Sequence, residues 1–115
     1  MPLRTYQIDP SFDAEMQQLL RQAEPIVERV LGSSADRVDV AWELGTVNFR
    51  EGEPAARLRL TDAGVSRTRE FEVWDIGDEL RFRRRVYLLW DRLLSDRLRL
   101  QREAVLQSLA EPTEG

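Results

Sequence analysis

Residues 81–94 read RFRRRVYLLWDRLL, four arginines set directly against a run of large apolar side chains. Two readings compete at its start. ELRFRRR, 79–85, alternates Leu80 and Phe82 against charged neighbours, as a half-buried strand does. From Phe82 onward, however, Val86, Leu89, Trp90, Leu93, Leu94, Leu98, Val105 and Leu109 recur at three- and four-residue intervals, the signature of an amphipathic helix. The longer pattern predicts a C-terminal helix of about 30 residues, or about 45 Å at 1.5 Å per residue, with Asp75 or Asp78 as N-cap candidates. Pro112 lies just beyond its end. Strand pairing of 79–85 with 69–74 stays open as the alternative.

On a wheel of 100° per residue, Tyr87, Trp90, Leu94, Leu98, Val105 and Leu109 gather on one side. Val86, Leu89, Leu93, Leu100 and Ala104 lie beside them. The apolar sector then covers about half the circumference, wider than the single stripe a surface helix buries. A helix this long also outreaches what a chain of 115 residues can cover. A second copy of the chain is the simplest cover. A homodimer with Trp90, Leu94 and Leu98 at or near the contact is therefore expected, with another protein as a further possible partner.

Upstream, PSFDAEMQQLLRQAEPIVERVLG carries Met16, Leu19, Leu20, Ala23, Val27, Val30 and Leu31 at helical spacing. Ser11 is the expected N-cap and Gly32 the expected stop. Pro25 should kink this helix or restart it. The period then changes to two. RVDVAWEL alternates Val38, Val40, Trp42 and Leu44 with polar residues, and at Gly45 the phase slips toward Val47 and Phe49, through a bulge or a true turn. AARLRLT and SRTREFEVW supply two more strands, separated by the turn DAG. The expected fold class is α+β: an N-terminal helix, a three- to four-stranded antiparallel meander, and a long C-terminal helix packed on one sheet face. Trp42, Leu58, Leu60, Phe71 and Val73 should face the helices. Arg57 and Arg59 should answer Glu70 and Glu72 across the sheet's open face. Nothing in the chain separates two domains, so 1–115 reads as one.

Composition narrows the chemistry. The net charge is −4, yet Arg81 to Arg102 holds eight arginines against Asp91 and Asp96, a local +6. All 17 basic residues are arginine, with no lysine, histidine or cysteine, which fits a GC-rich, bacterial coding sequence. The chain therefore has no Schiff-base lysine, imidazole proton shuttle, thiolate nucleophile or disulfide. The serines have no histidine to activate them. DIGDE (Asp75, Asp78, Glu79) and EGE (Glu51, Glu53) lack the spacing of a calcium loop and read as turns and caps. No catalytic, metal-binding or cofactor-binding residue is expected, and an enzyme is not. No window suits a membrane span and the N-terminus has no signal-peptide pattern, so a cytoplasmic location is expected.

Arg81, Arg83, Arg84 and Arg85 form the one candidate anion-binding cluster, and the second functional reading is an RNA- or phosphate-binding domain. Cations at a helix start are opposed by the helix dipole, a cost that an anion would offset. The order helix, three strands, helix is similar to that of double-stranded-RNA-binding domains, which carry basic residues near the start of their last helix. The lysine-rich, alanine-rich character of that helix is missing here.

Overall fold

The computed structural model describes residues 3–45 and 55–110. Its elements are β1 (Thr5–Ile8), α1 (Ala14–Leu31), β2 (Asp39–Leu44), β3 (Ala55–Asp62), β4 (Val65–Glu72), α2 (Val73–Gly77) and α3 (Glu79–Ala110). The four strands form one sheet in the order β1-β2-β3-β4. β2, β3 and β4 are the expected antiparallel meander. β1 differs: it runs parallel to β2, with Tyr6 opposite Val40 and Ile8 opposite Trp42. The sheet is therefore mixed, and a strand precedes the first helix. A parallel neighbour needs a crossover, and α1 supplies it. This added strand also separates the topology from the helix, three strands, helix order.

The sheet has one covered face. Val40 and Trp42 of β2, Ala56, Leu58 and Leu60 of β3, and Phe71 of β4 are all buried beneath the helices. At the centre Trp42 stacks on Phe82 at 6.1 Å, and Phe71 meets both edge-on at 5.9 and 5.3 Å. Tyr6 ties three elements together. Its hydroxyl accepts a hydrogen bond from Trp42 Nε1 at 2.8 Å and donates to the Leu20 carbonyl, and burial pushes its pKa well up. Two apolar expectations fail at strand ends. Val73 has already left the sheet to begin α2 and is 37% exposed, and Leu44 is 47% exposed.

The opposite face carries charge. Arg57 meets Glu70 at 3.0 Å, as the pairing of β3 with β4 dictates. Arg59 turns instead to Glu43 on β2, at 3.0 Å, because Thr68, not Glu72, lies opposite it. Glu72 is opposite Ala55 and bonds the Trp74 indole.

Local chemistry sets the ends of the elements. α1 is capped by Asp13, whose side chain accepts from Met16 N at 2.8 Å. Ser11 lies outside the helix; its own N–H bonds the Asp9 side chain. Pro25 neither breaks nor restarts α1, which is assigned as one continuous helix. Gly32 closes it at φ 57° and ψ −127°, a region of backbone space that only glycine occupies readily. Gly45 is needed for a different reason: a Cβ there would lie 2.8 Å from the Ala55 Cβ. The region where Val47, Phe49, Glu51 and Glu53 were expected to form a strand and a turn lies outside the described residues. The β3–β4 hairpin turns on Ala63 (φ 53°) and Gly64 (φ 79°), two left-handed residues in succession, which is the tight turn matching strand twist.

Candidate functional site

Residues 79–85 are helix, the first two turns of α3. Asp78 caps it: its Oδ1 accepts from Arg81 N at 3.2 Å and its carbonyl from Phe82 N at 2.8 Å. Asp75, the other cap candidate, is instead a buried carboxylate in α2.

α3 divides into two unlike halves. In the first, Phe82, Val86, Leu89, Trp90 and Leu93 are buried against the sheet and α1. Leu94 is half-buried at the border. From Leu98 to Leu109 every residue is exposed, a projection of about 20 Å at helical rise. The molecule measures 63 × 33 × 25 Å with a radius of gyration of 17.0 Å, against about 13 Å for a compact chain of this length. The projecting helix makes the difference.

Most exposed apolar side chains of α3 share one line. Leu80, Tyr87, Leu98, Val105 and Leu109, with half-buried Leu94 among them, fall within about 60° of one another on the wheel, about a third of a turn from the core-facing set; Leu100, also exposed, continues the core-facing line instead. Among them Leu80 is 68%, Tyr87 57%, Leu98 65%, Val105 58% and Leu109 78% exposed. Leu88 and Leu106 flank this stripe and are also exposed. The wide apolar sector read from the sequence is thus two sectors. The protomer's own core covers one of them. Of the residues expected at a self-contact, Trp90 faces that core and is 6% exposed, Leu94 borders it, and Leu98 stands clear.

Ion pairs lock α3 onto the sheet where its core-facing side becomes polar. Arg97 lies in the apolar sector and is held by Asp62, at 2.8 Å; that buried carboxylate also takes Arg37 at 3.4 Å. Arg67 of β4 grips Asp96, donating from Nε to Oδ2 at 2.5 Å and from Nη2 to Oδ1 at 3.2 Å. The hydrogen bond from Arg67 holds the Asp96 carboxyl below its ordinary value, with the nearby charges of Arg67, Arg99 and Arg92 acting the same way.

The four arginines of the 81–85 cluster border one open cavity, together with Arg29 and Arg69. Arg81 and Arg85 turn to the buried Asp75, at 3.6 and 3.4 Å, and Arg81 lies over the Trp74 ring at 4.8 Å. Arg83 and Arg84 are exposed on other sides of the helix, with no carboxylate within 4 Å among the described residues. Sequence reasoning missed Arg69. It lies on the helix-covered face of edge strand β4, and burial, then the charges of Arg85 and Arg92, push its pKa down, with Asp75 alone opposing them. Its alternation with Thr68 and Glu70 gave its face, but its neighbours on α3 are set by packing.

Among the described residues no three carboxylates converge as a metal site would require, and no helix is long and apolar enough to cross a membrane. No family model matches the chain, and neither the curated proteins nor the solved structures compared with it yield a match.

Proposed function

We propose that this protein is a non-catalytic assembly module that forms a homodimer through the exposed stripe of α3. One observation carries the reading: Leu80, Tyr87, Leu98, Val105 and Leu109, all exposed, and half-buried Leu94 lie along one line of a helix that runs well past its own domain. Single exposed leucines are ordinary, but an aligned set of this length marks a contact surface. Helix stability adds support. A segment of about a dozen residues with no tertiary packing is marginal in water, and among the described residues the one ion pair within the projection is Arg99 with Glu103 at 4.0 Å. A partner helix would stabilise it by burying the stripe. Trp90 does not contribute to this contact directly; it backs the helix from the core side, and Leu94 and Leu98 form the contact proper. Sedimentation equilibrium tests the reading. The parent chain should behave as a dimer at micromolar concentration, and the double change Leu98→Glu and Leu109→Glu should return it to a monomer with its sheet intact. A parent that is monomeric up to about millimolar concentration would overturn it.

One cavity lined by Arg69, Arg81, Arg83, Arg84 and Arg85, with Arg29 at its border, favours a second reading, binding of RNA or another phosphate ligand there. Like charges brought together around one carboxylate are relieved by an added anion. This reading requires RNA affinity at about 50 mM salt that falls steeply as salt rises. Changing Arg83, Arg84 and Arg85 together to Gln would then flatten the slope. No gel shift by the parent chain would dismiss it.

A further inference from the structure

The inference that follows rests on self-association through α3 and concerns its direction: we infer that the two helices pair antiparallel, Leu94 against the partner's Leu109 and Leu98 against the partner's Val105. The stripe on the projecting segment has intervals of four, seven and four residues between Leu94, Leu98, Val105 and Leu109. That spacing reads the same in either direction, so reversing one helix superposes all four apolar positions on apolar positions. The last buried residue of α3 on its core side is Leu93. In this register the projecting segments overlap fully, and each domain begins where the other helix ends. The two domains then stand at opposite ends of the paired helices and occupy different space.

Charge selects this direction over the parallel one, which the stripe alone would also allow. From Arg81 to Arg92 α3 carries five arginines against Asp91, a net +4. Parallel pairing would lay these basic segments side by side. Antiparallel pairing sets them at opposite ends of the paired helices, and it also opposes the two helix dipoles. Charge of this kind sets orientation more than raw affinity. The resulting particle is bipolar, with two identical charged sheet faces at the ends of a helical connector.

Cross-linking can read this direction in the chain as a whole, because it has no cysteine. Single variants Leu94→Cys and Leu109→Cys are made, and a short bismaleimide is added to each alone and to the two mixed. Antiparallel pairing gives cross-linked dimer in the mixture and essentially none in either variant alone, since like positions are 15 residues apart along the axis, about 22 Å. Parallel pairing gives cross-linked dimer in each variant alone, which overturns the inference while leaving self-association standing. Absence of any dimer by sedimentation overturns self-association itself. Salt provides a second readout on the unmodified chain. Raising NaCl from about 0.05 to about 0.5 M screens surface charges. The antiparallel dimer should hold at both salt concentrations, whereas a dimer that tightens several-fold with salt contradicts the charge argument.

Discussion

The two halves of α3 contain similar apolar side chains, yet they meet different surroundings. Phe82, Val86, Leu89 and Leu93 point into a sheet that fills the space around them. Leu98, Val105 and Leu109 recur at the same helical intervals on a different line and point away from every other element. The lesson is that periodicity shows a helix has an apolar face, while only the extent of the sheet shows where cover stops. That point comes at Asp96 and Arg97, where the core-facing side turns ionic and is pinned to Arg67 and Asp62.

The comparison predicts unequal costs. Phe82→Ala, at the centre of the aromatic cluster, should cost about 3–5 kcal/mol in a denaturant titration. Leu109→Ala, read below the dimer dissociation concentration, should cost within about 0.5 kcal/mol. Equal losses would mean the second half is covered within the protomer. At the boundary, Asp62→Ala removes the acceptor shared by Arg97 and Arg37. Both arginines retain contact with water, so the loss should be about 1–3 kcal/mol, read as an earlier denaturant midpoint. A midpoint unchanged by this substitution would remove the pin from the account.

Acid should loosen the same boundary. The Asp96 carboxyl has a pKa below its ordinary 3.8 when folded, so its contribution is fully present above that value and is lost as pH falls through the lower, folded value. Asp96→Asn should be less stable than the parent near neutrality, and the gap should close toward pH 2. A constant gap across that range would show that the carboxylate's charge is not what matters. The smallest effect belongs far from α3. Ala63 occupies a left-handed conformation in the β3–β4 turn, where asparagine is better tolerated. Ala63→Asn should raise stability by about 0.5 kcal/mol, and lower stability would show that the turn tolerates alanine for another reason.

Much of this architecture was legible where the pattern is local. The alternation of Val38, Val40 and Trp42, and of Ala56, Leu58 and Leu60, gave β2 and β3 with their inward faces, and the spacing after Phe82 gave α3. β1 was not legible: it has four residues with only Tyr6 and Ile8 facing in, and its parallel partner is some 34 residues away in sequence. Such pairing leaves no periodic trace. The N-cap shifted from Ser11 to Asp13 because both residue types cap helices and only the entering backbone distinguishes them. For the candidate surface, Leu98 was identified from the sequence. Trp90 was placed beside it because a wheel does not show that the apolar arc is divided between core and solvent. The pairing of Arg81 and Arg85 with Asp75 depends on how α2 folds against α3, and the entry of Arg29 and Arg69 into the same cavity depends on how α1 and β4 pack beside it.

The most direct test of the central claim is the mass of the unmodified chain in solution, by sedimentation equilibrium across the micromolar range and at low salt. A particle of twice the chain mass, reduced to a single chain by Leu98→Glu with Leu109→Glu while the far-ultraviolet spectrum keeps its sheet signal, is the predicted result. A single-chain mass at every concentration, unaffected by those substitutions, would contradict it.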